Sequence, residues 1–267
     1  MIRLGQYLPG DTVVHRLDPR VKILSVVALS IVIFGATGGE IALISAFLIA
    51  LVGAARLTPL AAFRALQPVA VFMAMIFIVH LLFTEGTPLL ALAPLPLEIT
   101  REGLVRGFYV TWQFSCLVLA AALLTLTTPP SGLVGGIERL LRPLKRVGIP
   151  SQDIAIMISM ALRFMPMLLE EYERLRMAQM ARGADFTTGS LVLRSRAVAA
   201  LAVPLLLSAF RRADELAVAM EARGYRRGPR TTLRELAFSG QDLAAFAFMA
   251  TFLLASFALK VAIGGKV

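Results

Sequence analysis

Between Val69 and Phe83 the chain reads VAVFMAMIFIVHLLF, without one carboxylate, lysine or arginine. A segment of that composition is a membrane-helix candidate, and four more runs share its character. They are Val21 to Phe34, extensible to Gly39 (VKILSVVALSIVIFGATGG), Ile41 to Ala55, Leu104 to Thr128 and Leu243 to Leu259. Several are shorter than the ~20 residues that cross a hydrocarbon core, so flanking residues, local thinning or close packing must make up the difference. With 58% hydrophobic residues and a mean hydropathy of +0.78, the 267-residue chain lies outside the range of soluble domains. The expected fold is all-α: a polytopic membrane protein of about five transmembrane helices.

The connections give the expected orientation. Residues 1–22 carry Arg3, Arg16, Arg20 and Lys22 against Asp11 and Asp18, and the next turn holds only Glu40. Arg56 and Arg64 follow the second run; Glu85, Glu98 and Glu102, against Arg101, follow the third. Positive and negative connections thus alternate, which places the N-terminus in the cytoplasm. Lys260 and Lys266 then fall outside, against that alternation. The N-terminal residues lack a continuous apolar core before a cleavage site, so no cleavable signal peptide is expected.

Pro129 to Gln241 differs from its flanks, with 17 basic and 10 acidic residues. It also contains IAIMISMALRFMPMLL (Ile154–Leu169) and AVAALAVPLLLSAF (Ala197–Phe210). Arg163 within the first run, and Arg194, Arg196, Arg211 and Arg212 flanking the second, argue for helices at or below the membrane surface. Three are expected, over Gly132–Val147, Ser151–Arg182 and Leu193–Arg223, with bends at Pro166 and Pro204. The chain is therefore expected to comprise residues 1–128 (four spans), 129–241 (a three-helix cytoplasmic coupling region) and 242–267 (a closing transmembrane helix).

The two long central helices end alike. Leu175 to Gly183 reads LRMAQMARG and Leu216 to Gly224 reads LAVAMEARG, sharing L-x-x-A-x-x-A-R-G. Each glycine stands where a helix C-cap glycine stands, and Arg182 and Arg223 occupy the last turn. Leu, Ala and Ala at spacing three form a narrow stripe that lets another backbone approach. One such ending is explained by a cation offsetting the macrodipole and a glycine stopping the helix. Capping alone would accept lysine and would not need alanine before arginine twice. A planar guanidinium on a rigid terminus suits a bidentate carboxylate on a partner.

The paired Ala-Arg-Gly endings, with GQYLPGDTVVHRLDPRVKIL near the N-terminus, resemble the transmembrane T component of energy-coupling factor (ECF) ABC-type importers, a CbiQ-like family. The resemblance covers essentially the whole chain. It implies a non-catalytic transporter subunit without its own ATPase site, working with two ABC-type ATPases and a membrane-embedded substrate-binding S component in vitamin or transition-metal uptake. It places the protein in a bacterial or archaeal cytoplasmic membrane as a multi-pass subunit. Carried over to this chain, Ala181, Arg182 and Gly183 would engage one ATPase, and Ala222, Arg223 and Gly224 the other. Met157, Met160, Leu162, Phe164 and Met165 become candidate S-component contacts, since methionine-rich surfaces repack easily; ordinary helix–helix core is the alternative for each. The N-terminal motif His15, Arg16, Asp18, Pro19 and Arg20 is either a partner contact or a helix start. In the second case Asp18-Pro19 caps a helix while Arg20 and Lys22 anchor to lipid headgroups.

Other candidates are weaker. His80 lies near the end of its run, where a hydrogen-bonded structural role is expected. Cys116, the single cysteine, is expected as a small buried side chain and excludes an intrachain disulfide. Glu170, Glu171 and Glu173 adjoin Arg174 and Arg176, which fits a salt-bridged helix face better than metal binding. No P-loop, H-E-x-x-H or G-x-S-x-G is present. Catalytic residues, metal, cofactor and nucleic-acid partner are not expected. The alternative function is a polytopic membrane enzyme acting on a phosphorylated lipid, with Arg182 and Arg223 on phosphate; it lacks a base or metal-binding acid at the membrane face. An autonomous secondary transporter is disfavoured because the predicted spans contain no carboxylate.

Overall fold

A computed structural model describes residues 8–36, 38–92, 97–143, 151–184, 186, 191–225 and 239–264. Its helices begin with α1 (Val13–Arg16) and α2 (Pro19–Gly35). Helix α2 starts where Asp18 caps it and Pro19 fills the first turn, a position that needs no N–H. Helix α3 (Gly39–Ala54) follows a turn containing Gly38 at φ +51°. Thr58 caps α4 (Pro59–Leu66), its hydroxyl accepting from the Ala61 amide at 3.4 Å. A 3₁₀ turn over Gln67–Val69 carries the chain into α5 (Ala70–Phe83). Pro68 lacks the N–H that an unbroken α ladder would use there, which accounts for the tighter turn. The connection holding Arg56 and Arg64 is accordingly shorter than the sequence pattern implies, with Arg64 inside α4.

A small antiparallel hairpin, β1 (Pro88–Leu92) and β2 (Leu97–Thr100), fills the next connection. Thr100 then caps α6 (Arg101–Thr127), accepting from the Gly103 amide at 3.1 Å while donating to the Thr84 carbonyl at 2.6 Å. Helices α7 (Pro130–Leu141), α8 (Ser151–Ala181), α9 (Leu191–Ala222) and α10 (Gly240–Gly264) complete the order. All five apolar runs are therefore helical. Three helical stretches, Pro59–Phe83, Arg101–Thr127 and Gly240–Ala258, are long and apolar enough to cross a membrane; Gly39–Ala54 is a shorter apolar helix. Together they make an all-α polytopic membrane protein whose only described sheet is the hairpin.

The chain divides into two compact units, residues 1–140 with 236–267, and residues 141–235. The core of the first is built by Leu29, Ile33 and Ala36 of α2, Ile41, Ile44, Phe47 and Leu48 of α3, and Cys116, Ala120 and Leu123 of α6. Phe252 of α10 stacks on Phe47 with ring centroids 4.1 Å apart. Cys116 is buried in this core as expected, a free thiol 3.7 Å from Ser45 Oγ. Helix α7 belongs to this unit: a Cβ at Gly136 would lie 3.0 Å from Pro19 Cβ, so its backbone lies close against the start of α2.

Helices α5 and α6 also approach closely. A Cβ on Gly103 would stand 2.8 Å from the His80 carbonyl oxygen, and one on Gly107 would stand 3.3 Å from that of Phe77. His80 directs Nδ1 at the Ile76 carbonyl, 2.9 Å away, one turn back on its own helix. It is a structural histidine. No residue of α4 or α5 is buried, and Val71, Ile78 and Phe83 present apolar surface suited to lipid.

The second unit pairs α8 with α9. Both continue through their prolines, Pro166 and Pro204. Arg212 of α9 binds Glu171 of α8 at 3.7 Å and reaches the Met167 sulfur, while Glu170 pairs with Arg174 at 4.0 Å. Of the three acids expected to form a salt-bridged face, Glu170 and Glu171 thus have arginine partners, the latter from α9 and not from its own helix, while Glu173 has no ion pair among the described residues.

Candidate functional site

Helices α8 and α9 finish with the same backbone geometry. At the end of α8 the Gly183 amide donates to Met180 O (3.0 Å) and the Ala184 amide to Gln179 O (3.0 Å), with Gly183 at φ +86°. At the end of α9 the Gly224 amide donates to Glu221 O (2.9 Å) and the Tyr225 amide to Met220 O (2.9 Å), with Gly224 at φ +73°. These are paired Schellman closures, in which the left-handed glycine lets the chain turn back and satisfy the last carbonyls. Nothing lies within 4 Å of where a Cβ would stand on either glycine. Backbone conformation, and not crowding, is thus what demands glycine at both sites.

Arg182 and Arg223 immediately precede these turns, and both are exposed, as are Ala181 and Ala222. Among the described residues neither guanidinium has a hydrogen bond or ion pair. Leu175 and Leu216 at the start of each stripe are half-buried, whereas the alanines that follow are exposed. Each motif therefore anchors at its leucine and opens outward toward its arginine. Asp185, next to the first motif, lies outside the described residues.

Between α8 and α9 runs an open apolar groove of about 700 Å³, lined in part by Met160, Phe164, Met165, Leu168 and Leu205. Three of the five candidate contacts, Met160, Phe164 and Met165, face it. Met157 is 63% exposed and Leu162 is half-buried, and neither lines the groove.

The N-terminal motif forms a polar knot in the first unit. His15 Nε2 donates to the Leu8 carbonyl at 3.2 Å, and its Nδ1 is hydrogen-bonded to the Thr12 hydroxyl at 2.7 Å. Arg16 makes a long surface contact with Asp11, 3.9 Å. Asp18 caps α2 through the Arg20 amide (2.8 Å), and Arg20 grips the same carboxylate with Nε (3.1 Å) and a terminal nitrogen (2.8 Å). Burial pushes the Asp18 carboxyl up, but the hydrogen bonds and charge of Arg20 outweigh it and hold it below the usual carboxylate range.

Arg20 and Lys22 do not reach out to headgroups as expected. Lys22 is only 7% exposed and spends all three ammonium protons on His15 O (3.2 Å), Thr127 O (3.0 Å) and Thr128 Oγ1 (3.2 Å). The physical reason is the buried C-terminal end of α6, whose carbonyls have no helical partner and take a cation instead. Asp242 closes the knot from α10: its Oδ1 accepts from the Asp18 amide at 2.8 Å, its Oδ2 from the Ser239 amide at 2.8 Å. Ser239-Gly-Gln-Asp242 before an apolar run is a capping box, a sequence signal that identifies this helix start but not its distant partner. At the opposite end of α10, Lys260 Nζ donates to Gly35 O at 2.8 Å, capping α2.

A family model described as "CbiQ: Cobalt transport protein" matches residues 10–233. A protein of Heliobacterium modesticaldum named energy-coupling factor transporter transmembrane protein EcfT is 48% identical over 245 residues, covering 91% of both chains. Proteins of the same name from Thermosediminibacter oceani and Bacillus subtilis are 43% identical (95% of each chain) and 41% identical (90% and 91%). These names describe transporter components and do not favour an enzyme acting on a phosphorylated lipid.

Proposed function

The chain belongs to the CbiQ family, as a transmembrane T component of energy-coupling factor transporters, and on that premise we propose that it is the coupling subunit linking two ABC-type ATPases to a substrate-binding S component. Arg182 and Arg223 each enter a groove on one ATPase and pair with a carboxylate there, and Ala181 and Ala222 let that surface come close. Closure of the ATPase pair on ATP then displaces the two helix ends together. The apolar groove lined by Met160, Phe164 and Met165 offers the S component a surface that repacks as α8 and α9 move; Met157, one turn before Met160, and Leu162, beside the groove, are further contacts. The subunit hydrolyses no ATP itself and serves vitamin or transition-metal uptake, the choice of cargo belonging to the S component.

One observation carries this reading. Two helices present an exposed arginine, without an ion pair among the described residues, on the same Schellman-closed end. A rigid end transmits displacement, whereas a frayed one would absorb it. The subunit lies in the cytoplasmic membrane as a multi-pass protein, N-terminus inside, with residues 1–128 and 242–267 in the bilayer and 129–241 facing the ATPases. Arg182→Glu with Arg223→Glu should release both ATPases on copurification while the protein stays inserted. Retention of both ATPases together with normal transport would refute the assignment.

A further inference from the structure

In the membrane unit, the end of α2 and the first turns of α6 leave an open groove of about 880 Å³. Phe34, Val105 and Tyr109 supply apolar and interfacial walls, and Arg101, Arg106, Glu85 and Glu102 supply charge. Glu102 is committed to the hairpin, accepting from the Thr87 amide at 2.7 Å and its hydroxyl at 3.0 Å. Among the described residues no ion pair forms to Arg101, Arg106 or Glu85. Gln113 at the groove's inner edge is fixed by its bond to the Ala36 carbonyl, 2.7 Å, so the wall between α2 and α6 is built and held.

Arg106 is the informative residue. It lies five residues into a membrane-length helix, about 7.5 Å from Arg101 along the axis at 1.5 Å per residue. Helical side chains slant toward the N-terminus, so its guanidinium rises from that depth toward the headgroup level. A cation there without a protein partner needs an anion from the bilayer. The groove's lining carries two arginines and two glutamates, one of the latter uncommitted, while Lys260 at its Gly35 edge is already engaged by the Gly35 carbonyl.

We propose that this groove is a phospholipid site whose occupant is phosphatidylethanolamine. The phosphate bridges Arg106 and Arg101, the ammonium donates to Glu85, and an acyl chain runs along Phe34, Val105 and Tyr109. Phosphatidylglycerol offers no cation to Glu85, and the quaternary ammonium of phosphatidylcholine has no N–H to donate. The site rests on the membrane character of the chain and is independent of the coupling role.

Native mass spectrometry of the delipidated full chain, with its copurified partners, tests the assignment. Lipids of one acyl composition and three headgroups are titrated, with inorganic phosphate as competitor. Phosphatidylethanolamine should bind about tenfold more tightly than either other lipid, as expected for charge-assisted hydrogen bonds at both ends of the headgroup. Arg106→Gln should erase that binding and Arg106→Lys restore part of it, with the lipid-free melting temperature unchanged. Glu85→Gln, in an exposed connection, should abolish the preference over phosphatidylcholine while phosphate-dependent binding remains. Equal retention of all three lipids, indifference to Arg106→Gln, displacement by millimolar phosphate, or closure of the groove by a protein partner would each overturn the proposal.

Discussion

Among the described residues three positions at positive φ follow helix C-termini, and they are not equivalent. Gly183 and Gly224 sit at positive φ in open space, so alanine there meets no atom and faces only the left-handed backbone cost. That cost is about 1–2 kcal/mol per site. Gly183→Ala and Gly224→Ala should speed amide exchange over the last turns of α8 and α9 and weaken ATPase copurification, without lowering expression in the membrane. Arg56 occupies the same region, at φ +51°, after α3. Replacing it with glycine removes the steric cost but adds about 0.5–1 kcal/mol of unfolded-chain entropy, so Arg56→Gly should be neutral to stabilising by up to about 1.5 kcal/mol in thermal unfolding. Asp18 carries a pH signature. Its folded pKa lies below the ordinary value of 3.8, so its contribution is complete at neutral pH and disappears as pH falls through the folded pKa. The melting-temperature gap between wild type and Asp18→Asn should be constant from pH 7 to about 5 and narrow below about 4. The doubled arginines were legible because their pattern is local and repeated. The inward turn of Lys22 was not, because the three acceptors that hold it come from His15, Thr127 and Thr128, two of them more than a hundred residues away.

Each apolar run of the sequence forms a helix, since composition alone drives backbone polar groups to pair within their segment. What the runs left out was polar or punctuated structure. Helix α4 escaped the hydropathy pattern because Arg64 and Pro68 interrupt it, although Thr58-Pro59 is a helix start by chemistry. The hairpin of β1 and β2 escaped because its strands are four and five residues long. The α5–α6 contact depends on absent side chains, which a hydrophobicity profile does not register. Gly103→Val should therefore force the two helices apart at His80 and Leu81 and cost about 1–3 kcal/mol, read as a lower melting temperature in detergent. Lys22→Met tests the knot at the other end of α6. It keeps the volume but orphans buried carbonyls, and should destabilise the membrane unit by about 1–3 kcal/mol with its helix content retained.

At the scale of the molecule, the lysine that opposed the charge alternation finds an explanation. Lys260 binds the carbonyl end of α2, so it serves a helix terminus and does not report which compartment it faces. In a Cys116→Ala background, cysteines introduced at Glu85 and Val261 should react with an impermeant reagent from outside, and cysteines at Arg56 and Ser239 only after permeabilisation. Labelling of Val261 and Glu85 from opposite sides would contradict the helix arrangement. Helix α10 is held at both its ends by α2, through Asp242 on Asp18 and Lys260 on Gly35. These partners are separated by more than two hundred residues of chain that includes all of α8 and α9. During synthesis the Asp18 amide and the Gly35 carbonyl must then do without these partners until the ribosome has delivered both long rods. Both clasps on α2 can thus close only after the last helix has been made.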